Sequence, residues 1–331
     1  SWTETPAKAS GNDVFSPAPG RDDWYEAVKL NYGVDYQNGR TCHFDPIPNT
    51  WLKMREILMY WARRGIDGFR CDMAEMVPKE FWGWVIPQVK AKFPKLVFVA
   101  EIYNPQAYRS YLDEGRFDYL YDKVGLYDSL RAVIQNPETP VDTIAASFQS
   151  VADIQDHVVN FLENHDEQRF CSRFFASKPR LFHPALAVSA GLGRGAWLIY
   201  FGQEWCEKAE GHMGFSADDG RTSLFDYIGV PAHQKWMNNG AFDAARHDPA
   251  TRKFRDWHAR VLRDIQRIPA LKAGTTRIVP SSHPRVLAWV REHEGKRLLF
   301  AANFDTQAHV FAFEGTSHAV EAQDSLWCEE C

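Results

Sequence analysis

Three short segments, each an apolar run that ends in a carboxylate, constrain this chain more than any other feature. They are Gly68–Asp72 (GFRCD), Phe98–Glu101 (FVAE) and Phe161–Asp166 (FLENHD). Each pattern is typical of a buried β-strand that carries a charged side chain at its C-terminal end. Active sites of (β/α)8 barrels lie at that end of the strands. We therefore expect the three carboxylates to meet at one mouth, an arrangement that suits the chemistry of glycosidic bonds.

Strand and helix patterns alternate over residues 49–270, which indicates a parallel α/β sheet. Apolar residues at positions 54, 57, 58 and 61 predict a helix that Thr50 caps and Gly65 ends. A second helix fits residues 79–92 and contains Pro87. Further helices are predicted at 183–190 and 250–266, and strands at 66–72, 96–100, 117–121, 158–162 and 197–201.

The two ends of the chain differ from this alternating region. Residues 1–48 are rich in Pro, Gly, Asp and Asn, which predicts a long loop excursion. Beyond residue 275 the pattern becomes all β, with apolar runs at 286–290, 298–302 and 310–313. Hairpin signals between these runs predict a sandwich-like C-terminal domain over 275–331.

Composition argues against several classes of partner. The formal net charge is −5, so there is no electrostatic case for nucleic acid or for an anionic membrane. The longest weakly charged run, 181–202, contains a proline, an arginine and four glycines, and it predicts a buried helix, a turn and a strand rather than a membrane span. The six cysteines have the spacing of neither a disulfide framework nor a zinc site. The pair Cys328 and Cys331 has no second pair to complete a tetrahedral site.

The first two segments supply the residue types of a nucleophile and a proton donor. Residues two apart in a strand point to the same side, so Arg70 and Asp72 should both face the interior. A guanidinium beside a carboxylate favours the ionised form that a nucleophile at a sugar carbon needs; a buried ion pair without a catalytic role is an equal alternative. Glu101 ends a run of five apolar residues, where desolvation raises its pKa and suits a general acid. A strand-end glutamate that faces water is the alternative for Glu101 taken alone.

The third segment ends in His165 and Asp166, which could be metal ligands, a dyad, or hydrogen-bonding groups for hydroxyls. No H-E-x-x-H or comparable metal spacing accompanies them. A nucleophilic triad would need a G-x-S-x-G turn, and the sequence has none. Contacts to sugar hydroxyls therefore fit both side chains best.

Taken together, the three segments resemble the central motifs of the α-amylase family of glycoside hydrolases. G-F-R-x-D resembles the fourth barrel strand of that family, V-A-E the fifth, and F-x-E-N-H-D the seventh. Two further stretches agree: Asp23-Trp24 with Leu30-Asn31-Tyr32 resembles the loop after the third strand, and Tyr200–Glu204 resembles the eighth-strand segment. The resemblance implies a partial (β/α)8 barrel, strands four to eight of the family pattern, followed by an all-β domain.

The resemblance also implies roles for five residues. Asp72 would be the nucleophile, Glu101 the acid/base, and Asp166 the second carboxylate, which holds sugar hydroxyls. Arg70 would orient Asp72, and His165 would contact the substrate. All five match the family motifs without substitution.

Three departures from the family pattern qualify these expectations. The D-x-x-x-N-H motif of the third strand is absent, so the chain resembles a fragment that begins inside the excursion after that strand. Trp197 stands where the eighth-strand segment usually has proline. Glu75-Met76 falls near the place of a Lys-His pair that supports calcium in many relatives, so this local sequence does not support Ca²⁺ binding. The chemistry itself needs no cofactor.

The sequence thus predicts a retaining glycoside hydrolase that acts on α-glucosidic bonds of starch, glycogen or maltooligosaccharides. The first alternative is an α-glucan transglycosylase, because both reactions share the first half-reaction. The second alternative, a non-catalytic carbohydrate-binding relative, is disfavoured because all three carboxylates are retained. The third is a fragment that is inactive alone, since an open five-strand piece leaves sheet edges exposed.

Overall fold

The computed structural model describes residues 11–12, 14, 20–24, 27–211, 218–222 and 229–330. The chain forms two compact units, residues 1–120 and 121–331. Cys331 lies outside the described residues, and with it the pairing of Cys328 and Cys331. No helix of the described part is long and apolar enough to cross a membrane.

The first unit is built from βαβ crossovers. A two-residue antiparallel pair precedes them, and parallel strands follow: β3 pairs with β4 from Gly68↔Val97 to Cys71↔Ala100, and β4 pairs with β5 at Val99↔Tyr119. The elements are β1 (Val34–Asp35), β2 (Thr41–Cys42), α1 (Asn49–Ala62), β3 (Gly68–Cys71), α2 (Lys79–Lys92), β4 (Val97–Ala100), α3 (Tyr108–Asp113) and β5 (Tyr119–Tyr121), with 3₁₀ turns at Ala74–Met76 and Pro105–Ala107. The last residue of β5 opens the second unit.

Helix α1 forms where the sequence predicts it, but it buries a different face. Ile57 and Trp61, which the spacing placed toward the core, are about half exposed. The buried side chains are Trp51, Leu58, Met59 and Ala62. Trp51 decides the face, because its ring packs 5.6 Å from the rings of both Phe81 and Trp84 on α2. The predicted cap is also wrong: the helix begins at Asn49, and no side chain caps it.

Gly68, the first residue of β3, allows the close approach of β4. A Cβ at this position would lie 2.3 Å from the carbonyl oxygen of Val97. We therefore expect Gly68→Ala to destabilise the protein by about 3 kcal/mol, at the upper end of overpacking effects. Gly191→Ala is the matched control, since its added Cβ would meet Phe300 at an ordinary 3.6 Å. Urea denaturation should separate the two variants, and equal midpoints would contradict this account of Gly68.

The second unit continues the α/β pattern and then becomes antiparallel. Strands β6 and β7 are parallel, with Val159↔Ala196 and Phe161↔Leu198 in register. Its helices and parallel strands are α4 (Asp128–Gln135), α5 (Asp142–Ser150), β6 (Val158–Phe161), α6 (Phe182–Gly191), β7 (Ala196–Leu198), α7 (Pro231–Met237), α8 (Pro249–Arg267) and α9 (Pro269–Ala273), with a π-helical turn at Lys123–Tyr127 and 3₁₀ turns at Ala152–His157, Pro179–Leu181, Gln203–Trp205 and Asn238–Gly240.

Six strands close the chain: β8 (Thr275–Val279), β9 (Val286–His293), β10 (Lys296–Asn303), β11 (His309–Phe313), β12 (Thr316–Val320) and β13 (Ser325–Glu330). They form a four-stranded antiparallel sheet in the order β13-β10-β9-β8 and a separate pair, β11-β12. Phe311, Phe313 and Val320 of the pair share a buried cluster with β8, β9 and β10. The α/β class with parallel strands and the all-β C-terminal region are thus confirmed.

A shared core joins the β region to the helices of the second unit. The buried rings of Trp289 and Phe300 stack at 5.1 Å. The Trp289 indole N–H donates to the Gly191 carbonyl at the end of α6 (3.1 Å). The buried Arg291 guanidinium donates to carbonyl oxygens of Ala270 and Leu271 in α9. These bonds satisfy polar groups that would otherwise be costly to bury.

Candidate active site

Neighbouring parallel strands bring Arg70, Asp72 and Glu101 together in the first unit. Arg70 is opposite Val99 and Cys71 is opposite Ala100, so Asp72 and Glu101 both follow directly at the strand ends. Main-chain bonds continue past the strands: the Glu101 N–H donates to the Cys71 carbonyl (3.1 Å), and the Ala74 N–H donates to the Glu101 carbonyl (3.0 Å). These main-chain bonds therefore fix the backbone positions from which the Asp72 and Glu101 side chains project.

Arg70 contacts both carboxylates of this unit. Its Nη1 donates to Asp72 Oδ1, and its Nη2 lies 2.8 Å from Glu101 Oε1. The fork geometry of a guanidinium lets one side chain orient two carboxylates at once. Arg70 thus lies where the sequence expected it, beside Asp72, and it also makes a contact with Glu101 that the sequence did not predict.

The two carboxylates have different environments. The Asp72 side chain is 75% exposed, whereas the Glu101 side chain is 8% exposed. Burial raises the pKa of Glu101; the Met73 N–H and the Arg70 charge oppose this shift, and the nearby Asp72 charge adds to it. A general acid needs a raised pKa, and a nucleophile needs an accessible carboxylate. The buried Glu101 beside the exposed Asp72 therefore suits these two roles.

Two residues that sequence reasoning missed hold Glu101. The Met73 N–H donates to Oε2 (2.8 Å), and the Tyr103 hydroxyl donates to Oε1 (3.1 Å). Met73 has a positive φ of 42°, an uncommon conformation for a non-glycine residue, and this turn follows Asp72 directly. Tyr103 is two residues beyond Glu101, a spacing that could have signalled a contact, but no sequence pattern announces the turn at Met73.

Glu75 holds the loop that carries Tyr103. Its carboxylate accepts the N–H groups of Tyr103 (3.1 Å) and Asn104 (3.2 Å). The residue near the place of the family's Lys-His pair therefore has a clear local contact: it joins the 3₁₀ turn after β3 to the loop after β4. The position of the Tyr103 hydroxyl depends on that link.

We expect Tyr103→Phe to raise the pKa of Glu101 further, because the lost hydroxyl favours the ionised carboxylate. The alkaline limb of the pH–rate profile should therefore move to higher pH, because one stabilising hydrogen bond of the ionised form is lost. Tyr60→Phe, on the exposed side of α1, is the control. An unmoved limb in Tyr103→Phe would contradict a positioning role for this hydroxyl.

In the second unit, His165 and Asp166 follow β6 on a turn that Asn164 organises. Asn164 Oδ1 accepts the N–H groups of Asp166 and Glu167, each at 2.9 Å. His165 Nε2 lies 3.1 Å from Asp166 Oδ2, and both side chains are partly exposed. The turn therefore presents an imidazole and a carboxylate side by side, both partly open to solvent.

A buried ion pair anchors the same turn, and sequence reasoning did not single it out. Glu163 and Arg169 are both fully buried and bond at 2.8 Å. Glu163 also accepts the Phe170 N–H (2.8 Å), and Arg169 Nε donates to Thr222 Oγ1 (2.8 Å). The Arg169 guanidinium lies 4.0 Å from the centre of the Tyr200 ring. A charged residue directly after the apolar run Val158–Leu162 was the available signal that a buried partner exists.

The five predicted site residues thus fall into two groups. Arg70, Asp72 and Glu101 are in contact in the first unit, and His165 and Asp166 are in contact in the second. The convergence of all three carboxylates at one mouth stays a prediction.

The chain is similar to a known protein family and to known relatives. Residues 48–261 match the family model described as alpha amylase, catalytic domain. An alpha-1,4-glucan:maltose-1-phosphate maltosyltransferase from Cereibacter sphaeroides is 23% identical over 298 residues, which cover 84% of this chain and 38% of that protein. The chain therefore spans about two-fifths of the length of this curated relative.

Solved structures show the same fold. An alpha-amylase from H. orenii superposes with a TM-score of 0.65 at 16% identity, covering 98% of this chain and 74% of that one. A cyclic alpha-maltosyl-(1→6)-maltose hydrolase from Arthrobacter globiformis, in complex with cyclic alpha-maltosyl-(1→6)-maltose, superposes with a TM-score of 0.65 at 15% identity. The superposition covers 90% of this chain and 66% of that one. The prediction of a partial (β/α)8 barrel followed by a β domain is confirmed.

The family model covers more than half of the chain, and the chain therefore belongs to the alpha-amylase family. The family that its three motifs predicted is therefore confirmed.

Proposed function

We propose that the protein carrying this chain is a retaining enzyme that acts on α-glucosidic bonds of starch, glycogen or maltooligosaccharides. The observation that carries the proposal is the Arg70 bridge between an exposed Asp72 and a buried Glu101 with a raised pKa. Retaining glycosidases need such a pair, with carboxyl groups about 5–5.5 Å apart.

In the proposed double displacement, Asp72 attacks the anomeric carbon while Glu101 gives its proton to the departing glycosidic oxygen. Asp72 is then esterified to the sugar, and Glu101 is ionised. In the second half-reaction Glu101 takes a proton from the acceptor, which attacks the anomeric carbon and releases Asp72. Asp166 and His165 would hold sugar hydroxyls, and Arg70 would keep the Asp72 carboxylate aligned. These steps involve no cofactor.

The acceptor separates hydrolysis from transfer. Water gives a hydrolase, and a second sugar gives a transglycosylase. The maltosyltransferase named among the relatives favours transfer as the second candidate, with maltose 1-phosphate as donor and an α-glucan as acceptor. Both reactions use the same nucleophile and the same acid/base, so the geometry of Asp72 and Glu101 supports each equally.

The experiment supplies maltoheptaose alone, or with maltose 1-phosphate, to the protein that carries this chain. New reducing ends without phosphate release indicate hydrolysis; longer chains with phosphate release indicate transfer. Nuclear magnetic resonance of the first-formed product should show the α-anomer in either case. A first-formed β-anomer contradicts the retaining mechanism. No turnover of either donor contradicts the proposal and favours a non-catalytic relative.

A further inference from the structure

Three metal-ligating side chains converge in the C-terminal β region, outside the carboxylate groups described above. His283 precedes β9, Asp305 follows β10, and His309 begins β11. One ligand atom from each lies within 4.8 Å of the other two. Asp305 Oδ2 lies 2.8 Å from His309 Nε2 and 3.5 Å from His283 Nε2. All three residues belong to the second unit.

Local bonds hold these side chains in place. The Asp305 backbone N–H donates to Asn303 Oδ1 (2.9 Å), and Asp305 Oδ1 accepts the Thr306 N–H (2.6 Å). The rings of His283 and His309 stack with their centres 3.5 Å apart. The side chains are 18–31% exposed, so an ion and a water molecule can reach the cluster. The three side chains are therefore held by local hydrogen bonds and remain accessible to solvent.

We propose that His283, Asp305 and His309 form a zinc-binding site, with water as the fourth ligand. Two imidazole nitrogens and one carboxylate oxygen are a donor set typical of Zn²⁺. Zn–N bonds of 2.0–2.1 Å in a tetrahedron imply ligand atoms about 3.3 Å apart. The two separations from Asp305 Oδ2, 2.8 and 3.5 Å, lie on either side of that value. Ca²⁺ and Mg²⁺ fit poorly because they prefer six or more oxygen ligands.

One hydrogen bond must be exchanged when zinc binds. His283 Nδ1 accepts the Arg285 backbone N–H at 3.2 Å, so the metal-free neutral ring carries its proton on Nε2. Zinc at Nε2 moves that proton to Nδ1 and breaks the bond to Arg285. Water that enters with the ion can accept the Arg285 N–H. Because water replaces the lost partner, this exchange should weaken zinc binding by no more than about tenfold.

A zinc ion at this place would link three separate segments of the β region. It would join the turn before β9 to the loop after β10 and to the first residue of β11. Because the site forms only in the folded chain, bound zinc should raise the melting temperature in a concentration-dependent way.

The test uses the full protein after treatment with a chelator, and Zn²⁺ alone as the probe. Isothermal titration calorimetry should show one ion per chain, and thermal unfolding should shift upward by several degrees at saturating Zn²⁺. His309→Gln and Asp305→Asn should each weaken binding by more than about a hundredfold. His318→Gln, on β12 of the same sheet pair, should leave binding unchanged.

A second variant separates this site from Cys328 on β13. Cys328→Ser should keep full binding, and Co²⁺ in place of Zn²⁺ should give visible bands of a four-coordinate site without a thiolate charge-transfer band. Binding that survives His309→Gln but is lost in Cys328→Ser would overturn the proposal. So would the absence of any Zn²⁺ binding to a protein whose circular dichroism shows it folded.

Discussion

Asp72→Asn is expected to lower kcat on α-glucans by about 10⁴-fold or more, since an amide cannot attack the anomeric carbon. The amide keeps the shape of the carboxylate and can still accept from Arg70, so the local fold should persist. Glu101→Gln should lower kcat by about 10²–10⁴-fold, the usual share of a general acid. The measurement is the initial rate on maltoheptaose, or with maltose 1-phosphate as donor if transfer is the activity.

The leaving group distinguishes the two roles. An α-glucosyl fluoride needs no proton to release fluoride, so it bypasses the general acid in the first half-reaction. Glu101→Gln should therefore recover much of its first-step rate on this donor, whereas Asp72→Asn should not. Asp113→Asn, an exposed carboxylate at the end of α3, serves as the control and should retain full activity. Equal recovery of Asp72→Asn and Glu101→Gln on the fluoride would contradict the assignment of roles.

The pH dependence of the rate tests the role of Glu101 independently. A general acid works in its protonated form, so the rate should fall as pH rises through the pKa of Glu101, which burial raises. Glu101→Gln should lose this alkaline limb together with most of the rate. The double variant Asp72→Asn, Glu101→Gln should be little worse than Asp72→Asn, because residues that act as a unit are not additive.

Strand positions were predictable because buried parallel strands leave a continuous apolar run in the sequence. The apolar runs at 96–100 and 158–162 form the strands Val97–Ala100 and Val158–Phe161. The presence of helices was equally predictable from the sequence, as α2 and α8 show. The buried face of α1 was not, because Ile57 and Trp61 fit the helical period as well as Trp51 and Leu58 do. Only the aromatic partners on α2 decide between those faces.

The site shows the same division between short-range pattern and long-range contact. The two-residue period of a strand correctly placed Arg70 on the side of Asp72. The contact between Arg70 and Glu101 follows from strand register, which the sequence of one strand does not contain. The Met73 bond to Glu101 depends on a positive φ that no turn residue signals. Arg169 was missed because its importance follows from burial beside Glu163, which sequence alone does not measure.

That buried pair has the largest expected effect on stability. Arg169→Met should destabilise the protein by about 3–5 kcal/mol, because it leaves the Glu163 carboxylate buried without its cation. Glu163→Gln with Arg169→Met should regain part of this loss, since the neutral amide is cheaper to bury and can still accept the Phe170 N–H. The restored fraction measures how much of the single-variant effect is the uncompensated charge.

The surface pair Arg194 and Asp156 provides the control in the same unit, with Arg194 Nη2 2.9 Å from Asp156 Oδ2 and both side chains in contact with solvent. Arg194→Met should cost less than about 1 kcal/mol, because solvent screens an exposed pair. Urea midpoints of the variants, followed by circular dichroism, decide the comparison. Arg169→Met as stable as Arg194→Met would show that Glu163 takes up a proton or finds another partner. In that case the turn of His165 and Asp166 is held by Asn164 and the Phe170 N–H, without the ion pair.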